Sequence, residues 1–267
     1  MRKPARVLLA FGIVTSLHAE VLAGDHFWSG DWNLTLGGAG ISAPSYEGAD
    51  DRKLSFQPII SLGRQGAGPR FSSRNDSASI GLLETDAVRA GVAGRLIMKR
   101  DEDTSKDLEG LSEVKMGGEL GGFVDVYPTD FLRLRGEARQ GIRSHDGVVA
   151  DVSADAFTDI APDIQLSGGP RARYATSGYS KAYYGVNAAE SAASGYSEYD
   201  PDGGWQSVGA GAALTWSATD RLSTSAFAEY KRLVGPAGES SLVQEGGSKN
   251  QVLVGVSASY KFGFSLD

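Results

Sequence analysis

The sequence predicts an all-β fold: a transmembrane, antiparallel up-and-down β-barrel of about twelve strands, with about ten as the alternative. Three observations carry this prediction: an N-terminal export signal, long stretches of alternating apolar and polar residues, and glycines scattered through those stretches. Such barrels belong to the outer membrane of Gram-negative bacteria, where we expect the exported chain to reside.

Residues 1–23 have the parts of a signal peptide. Basic residues precede an apolar run at 7–17, and small residues at Ala19 and Ala23 offer two cleavage sites. The run is about half the roughly twenty residues that a spanning helix needs. We therefore expect residues 1–23 to be removed and residues 24–267 to form one barrel domain.

Composition narrows the function classes. The formal charge of −7 becomes −9 once the signal and its three cations and one anion are lost, which disfavours a nucleic-acid partner. Without cysteine there is neither a disulfide nor a thiolate zinc site. No long apolar stretch follows the signal, which excludes a helical membrane protein. A soluble periplasmic β protein and an outer-membrane barrel remain.

The C-terminal segment decides between these two classes. Over residues 252–264 every second residue is apolar, and the aromatic ones lie at one end, where a membrane interface would hold them. Strands of soluble proteins average about five or six residues, so this one is unusually long. The apolar face consists of Val252, Val254, Val256, Ala258, Tyr260, Phe262 and Phe264.

Similar alternation recurs along the chain, and the interior glycines suit a small, curved wall. The predicted strands are 33–41, 54–63, 70–73, 78–83, 88–99, 113–127, 131–142, 148–157, 164–174, 206–217, 221–233 and 251–264. The short pair at 70–73 and 78–83 is the basis of the alternative count. An even number would put both chain ends in the periplasm.

Linker lengths predict the orientation, because periplasmic turns are short and outer loops are long. If the first strand runs outward, the brief links at 85–86, 128–130 and 218–220 are all periplasmic. The long links at 42–53, 100–112, 175–205 and 234–250 then all lie outside. We expect 175–205 to contribute no complete spanning pair of strands.

Three motifs resemble the MipA/OmpV family. Residues 43–51, Ala-Pro-Ser-Tyr-Glu-Gly-Ala-Asp-Asp, follow a glycine-rich first strand and precede Phe56-Gln57-Pro58. Tyrosine and glycine patterns at 183–204 and 230–243 are similar to the later motifs of the family. The resemblance covers essentially the whole mature chain. It implies an outer-membrane barrel that contacts lipid and lipopolysaccharide, without catalytic residues.

The resemblance also implies a function without chemistry. Some members are scaffolds that join a murein-degrading transglycosylase to a murein synthase, and others are porin-like. We accordingly expect a non-enzymatic scaffold, with a narrow channel for small solutes as the alternative. We assign no catalytic, cofactor-binding or metal residues and no cofactor. The oligomeric state stays open.

Few residues suit catalysis. His145 is the histidine available in the barrel, within Ser144-His145-Asp146-Gly147. Adjacent Ser, His and Asp do not make a triad, because the roles need convergent geometry, so a tight turn at Asp146-Gly147 is favoured over a rim hydrolase.

Two acidic groups offer oxygen ligands to a hard cation, but neither has the glycine-centred spacing of a calcium loop. One is in the first long loop and the other in the second: Glu47, Asp50 and Asp51, then Asp101, Glu102, Asp103, Asp107 and Glu109. Solvated outer loops are favoured for both.

Charged residues of the polar faces should line the lumen. They either form an ion-selective path or pair across the lumen and plug it, and the plugged or narrow alternative is favoured at about twelve strands. These residues are Arg89, Arg95, Arg133, Arg135, Arg139, Glu113, Glu119 and Glu137. An aromatic girdle at the outer interface is favoured over a loop binding surface for Tyr179, Tyr183, Tyr184, Tyr196 and Tyr199.

Overall fold

The computed structural model describes residues 29–64 and 71–266. The predicted signal peptide, residues 1–23, lies outside the described residues. Within them, no helix combines the length and the apolar character that a membrane crossing requires.

Eleven strands and a few short helices make up the described chain. The strands are β1 (Gly30–Pro44), β2 (Arg52–Arg64), β3 (Ala78–Glu84), β4 (Val88–Ile97), β5 (Gly117–Thr129), β6 (Leu132–Ile142), β7 (Val148–Ala161), β8 (Ile164–Ala175), β9 (Gly204–Ser217), β10 (Leu222–Leu233) and β11 (Asn250–Leu266). The helices are α1 (Ser177–Tyr184), α2 (Ala188–Ser194), α3 (Gly235–Glu239) and α4 (Ser241–Glu245), with a 3₁₀ turn at Lys106–Leu108.

All the strands belong to one curled antiparallel sheet in the order β2-β1-β11-β10-β9-β8-β7-β6-β5-β4-β3. The first and last strands pair along their length, with Gly30 opposite Leu266 and Ser42 opposite Val254. The predicted all-β barrel of about a dozen strands is therefore confirmed. In the described part of the chain, β2 and β3 are in contact but form no ladder.

The interior glycines allow the wall to curve tightly. A Cβ on Gly169 would lie 1.8 Å from the carbonyl oxygen of Ala154, and one on Gly121 would lie 1.9 Å from that of Ala138. Neither separation is compatible with a side chain, so neighbouring backbones approach at these points in a way that only glycine permits.

The predicted strand at 70–73 is wrong for its described part. Phe71 to Ser73 belong to no strand. The pairing makes β2 and β3 run in the same direction. Before β3 begins, residues 71–77, called the inner return below, lie inside the barrel. There Phe71 is buried and stacks on Phe157 of the wall at 4.7 Å between ring centroids. Because of this return, eleven strands still leave both described chain ends at one end of the barrel.

The outward face has the predicted apolar character. Its side chains alternate with inward polar ones, as a two-residue period requires between lipid and lumen. On β11 the predicted face is exposed, Val256 most of all at 63%. Exposed aromatic residues near the strand ends include Trp205, Trp216, Tyr230, Tyr260 and Phe262.

The four long loops form a cap over the end of the barrel opposite the short turns. Segment 175–205 enters this cap as α1 and α2, while β8 pairs directly with β9, so the expectation that it adds no spanning pair is confirmed. One buried cluster joins inner residues of β7, β8 and β10 to α1, α3 and α4: Val149, Ala175, Tyr179, Tyr184, Leu233, Ala237 and Val243. A second joins the first, second and fourth loops through Tyr46, Ala49, Leu108 and Leu242.

A cation placed on the lipid face should destabilise the barrel according to its depth. We expect Val256→Lys to lower the free energy of unfolding by about 2–4 kcal/mol, because the ammonium enters hydrocarbon. Val252→Lys, nearer the capped end of the same face, should cost at most about 1 kcal/mol. Urea titration of the barrel folded in lipid vesicles measures both values, and equal costs would contradict the assigned lipid face.

Candidate functional site: the charged lumen and its cap

The lumen is crossed by side chains that project from alternate positions of β4 to β10. The row on β6 is central, and Arg133, Arg135, Glu137 and Arg139 are at most 6% exposed. The alternation predicted that this row points inward, and the structure confirms it. Because a buried guanidinium requires opposite charge and hydrogen-bond acceptors, the contacts of these arginines decide what the lumen can do.

Arg133 is held between the wall and the inner return. Its guanidinium donates to both carboxylate oxygens of Asp76, at 2.6 and 3.0 Å, and to Asp155 Oδ2 at 2.7 Å. Asp76 was missed by the sequence analysis, because no local pattern indicates that residues after a predicted wall strand enter the lumen. The fork-shaped contact ties this inner segment to β6.

Arg135 bridges two neighbouring strands. It donates to Asp125 on β5 at 2.9 Å and to Glu137 on its own strand at 2.7 Å. Arg89 on β4 extends the same network, at 2.8 Å from Glu84 and 3.6 Å from Asp125.

Arg139 carries the network toward the cap. It donates to Glu119 at 2.7 Å and to Asp151 at 2.8 Å, and it also contacts Glu137. Arg173 shares Asp151 at 2.8 Å and lies 3.7 Å from Glu47. The ion pairs therefore run continuously from the wall to the first long loop.

Glu47 is part of the lumen network, so the predicted solvated position is wrong for this residue. It accepts from Lys231 Nζ at 3.0 Å as well as pairing with Arg173. Burial raises the pKa of Glu47, but Lys231 and Arg173 outweigh it and hold this pKa below its usual range. The carboxylate is thus retained as an anion at the lumen mouth.

One predicted luminal charge lies elsewhere. Glu113 precedes β5 in the second long loop, where its carboxylate is 3.4 Å from Lys99 and about half exposed. The two-residue alternation does not extend to it because the strand begins at Gly117. The other seven predicted charges face inward, and the ion pairs that all of them except Arg95 form favour the plugged or narrow lumen over an open ion path.

His145 links the cap to the wall. Its Nε2 lies 3.1 Å from Glu119 Oε1, and its Nδ1 accepts the Gly147 N–H at 3.2 Å, so the proton is assigned to Nε2. The ring also meets Tyr179 edge-on at 5.1 Å. The predicted tight turn at Asp146-Gly147 is part of a loop, residues 143–147, that places this histidine inside the barrel. Both ring nitrogens are already engaged, and neither contacts Ser144 or Asp146.

The predicted aromatic girdle is wrong for the loop tyrosines. Tyr179 and Tyr184 are 3% and 0% exposed, and Tyr183 stacks on Tyr179 at 4.4 Å. Burial raises the pKa of Tyr183 to about 12. Tyr196 packs in the second buried cluster, and the Tyr199 hydroxyl donates to the Pro236 carbonyl. These residues form the core of the cap, which local sequence could not distinguish from an interface.

Arg100, which the sequence analysis did not single out, anchors the second loop to this aromatic core. Its guanidinium lies 5.0 Å from the ring centroid of Tyr183 and 5.9 Å from that of Tyr46. The pKa of Arg100 is lowered by burial. Cation–π contact thus joins the second loop to the first and third.

The structure brings parts of the two predicted acidic groups together. Asp50 and Asp51 of the first loop and Asp107 of the second have carboxylate oxygens within 4.8 Å of one another. Ser105 Oγ donates to Asp107 at 3.2 Å. Asp101 instead pairs with Lys99, and Glu102, Asp103 and Glu109 are exposed, as predicted for a solvated loop.

The apolar belt, the paired lumen and the outer cap define an outer-membrane β-barrel protein. A family description, "MltA-interacting protein MipA", matches residues 36–262. The chain therefore belongs to the MipA family and to the Gram-negative outer membrane. No curated protein sequence matches it.

Solved structures similar to this chain are distant. The outer membrane channel DcaP of Acinetobacter baumannii is 9% identical, with 87% of this chain and 98% of that chain covered and a TM-score of 0.41. The NanC porin is 9% identical, with 86% and 100% covered and a TM-score of 0.42. OprG from Pseudomonas aeruginosa is 12% identical, with 88% and 96% covered and a TM-score of 0.29.

Removing the central cation of the lumen should strongly destabilise the barrel. We expect Arg139→Gln to cost about 3–5 kcal/mol, because Glu119, Glu137 and Asp151 lose a shared partner while they remain buried. Arg221→Gln, at an exposed turn, should cost less than about 0.5 kcal/mol. Urea titration in vesicles compares the two, and a small loss for Arg139→Gln would show that the lumen network is dispensable.

Proposed function

We propose that this chain is a non-enzymatic docking protein that holds periplasmic murein enzymes, a transglycosylase and a synthase, at the outer membrane. The observation that carries the proposal is the lumen, which is crossed by buried ion pairs and covered by the cap. A solute would have to break several of these pairs to pass, and each buried charge left alone would cost several kcal/mol. The family description names an interaction with another protein, in keeping with docking.

The end with the short turns is the surface that such a partner would meet. Short turns face the periplasm in barrels of this class. Each of the four short turns carries one exposed aspartate, and the four residues, called the rim aspartates below, are Asp86, Asp130, Asp163 and Asp220. Aspartate favours the backbone conformation of turns. Because all four short turns lie at one end of the barrel, their carboxylates are gathered at that end. Arg221 and Lys261 lie near the same end, but the four aspartates outnumber these two cations. The rim therefore suits a basic patch on a partner.

Neutralising the rim aspartates should weaken docking. We expect the fourfold Asp→Asn variant to capture less murein transglycosylase and synthase from detergent extracts, with a smaller dependence on salt, because a rim charge contributes mainly to association. The matched control changes four exposed acids of the capped end, Glu102, Asp103, Glu109 and Glu198, to their amides.

Retained capture in the control together with loss in the rim variant supports the proposal. Failure of the wild-type barrel to enrich either enzyme class would overturn it. Equal loss in both variants would show that net charge, and not the rim, governs capture.

A narrow channel for small solutes is the second candidate. It is favoured by a cavity of about 1650 Å³ inside the barrel. Its lining reaches the short-turn end at Gln165 and Ser223 and includes luminal charges such as Arg95 and Glu229. A water-filled vestibule that continues past the ion pairs would give a selective path.

Planar-bilayer recording separates the two candidates. For a docking protein we expect the refolded wild-type barrel to give no steady current steps, because the paired charges and the cap obstruct the lumen. Heat-modifiable gel migration serves as the folding control. Steady, ion-selective steps from folded protein would replace docking by the channel as the primary function.

A further inference from the structure

Two arginines of the lumen differ from the rest in having no carboxylate partner. Among the described residues, neither Arg74 nor Arg95 forms an ion pair within 4.0 Å, whereas Arg89, Arg133, Arg135, Arg139, Arg171 and Arg173 all do. Arg95 Nη2 donates to the Asn75 carbonyl at 3.0 Å. Arg74 Nη1 donates to the Gln57 amide oxygen at 3.0 Å, and its guanidinium lies 4.3 Å from the Phe227 ring centroid.

Both unpaired cations line the same cavity. Arg95 is on β4 and contacts the Asn75 carbonyl, Arg74 is the residue before Asn75 on the inner return, and both border the space of about 1650 Å³ that reaches the short-turn end. Glu229 attracts the charge of Arg74, but its carboxylate is already bound by Asn75 and by Arg171 at 3.4 Å, and Arg171 and Arg95 repel that charge. The acids near Arg95, Glu119 and Asp151, are likewise paired with Arg139 and Arg173. The local charge therefore remains partly uncompensated.

Such an arrangement has a definite chemical complement. A guanidinium presents a rigid fork of N–H donors that matches the two oxygens of a carboxylate or phosphate. Each of these guanidinium groups donates one described hydrogen bond to a neutral oxygen, which leaves further donors for a ligand in the cavity that both residues line. A partly buried cation without an anion is costly, so an anion that enters the cavity gains both charge neutralisation and hydrogen bonds.

We propose that the cavity is a binding site for a small oxyanion, a carboxylate or a phosphate, held by Arg95 and Arg74 and reached from the short-turn end. The site is separate from the rim aspartates and does not require conduction through the cap. Periplasmic anions of this class, free or as the terminal group of a larger molecule, are its ligands.

Calorimetric titration of the full refolded barrel in detergent tests the site. The probes are inorganic phosphate and, separately, acetate, each at constant ionic strength maintained with chloride. We expect saturable binding of at least one probe at one site per barrel. Arg95→Gln and Arg74→Gln should each weaken it about tenfold, which is the effect of losing one charge-assisted contact. Arg221→Gln, at the exposed turn, should bind like the wild type.

The identity of the bound probe assigns the class of the ligand, and the affinities of the variants test the two arginines. Phosphate binding alone assigns a phosphate ligand, and binding of both assigns a general oxyanion site. Absence of saturable binding, or equal affinity of Arg95→Gln and wild type, overturns the proposal. If Arg95→Gln does not fold, Arg95→Lys keeps the charge without the fork, and unchanged affinity there would also overturn it. Enzyme capture by the rim is measured separately, so the two proposals fail independently.

Discussion

Charge neutralisation inside a narrow lumen is the constraint on which the rest of this structure depends. The row on β6 brings three guanidinium groups into a space with little water, and each is matched by acids from β5, β7 or the inner return. Hydrocarbon outside the wall offers no alternative place for these charges, because lipid accepts neither ions nor unpaired backbone groups. The network therefore fixes where the inner segment runs, and through Glu47 and Lys231 it fixes the first loop against β10.

The sequence predicts the strands well because the two-residue alternation of apolar and polar side chains determines which face each residue occupies. Alternation over 252–264 or along β6 is enforced at every residue by lipid on one side and the lumen on the other, so it can be recognised in the chain itself. The inner return could not be recognised, since Phe71 is apolar like a wall residue and its partner Phe157 is distant in sequence. The tyrosines of α1 are ambiguous in the same way: a phenol suits a membrane interface and a packed cap equally well.

The same distinction separates the predicted from the unpredicted residues of the candidate site. Seven inward charges follow from their strand positions, but the partners of the six that are paired follow only from the assembled barrel. Asp76 and Glu47 come from segments without a period, and their partners are Arg133 and Lys231, both remote in the chain. Likewise, the unpaired state of Arg95 is a property of its surroundings, and no local pattern distinguishes it from Arg89.

The seam between β2 and β3 has a consequence for how the barrel is built. Strands β1 and β11 join in one continuous ladder, so the two edges of the described sheet that no ladder joins lie within the N-terminal third of the sequence. The edges of the wall thus meet at an internal junction, beside the segment that Asp76 ties to the lumen. The inner return acts there as an internal crosspiece: Arg74 donates to Gln57 of β2, and Asp76 pairs with Arg133 of β6, so side chains connect the two sides of the seam, where the described sheet has no backbone ladder.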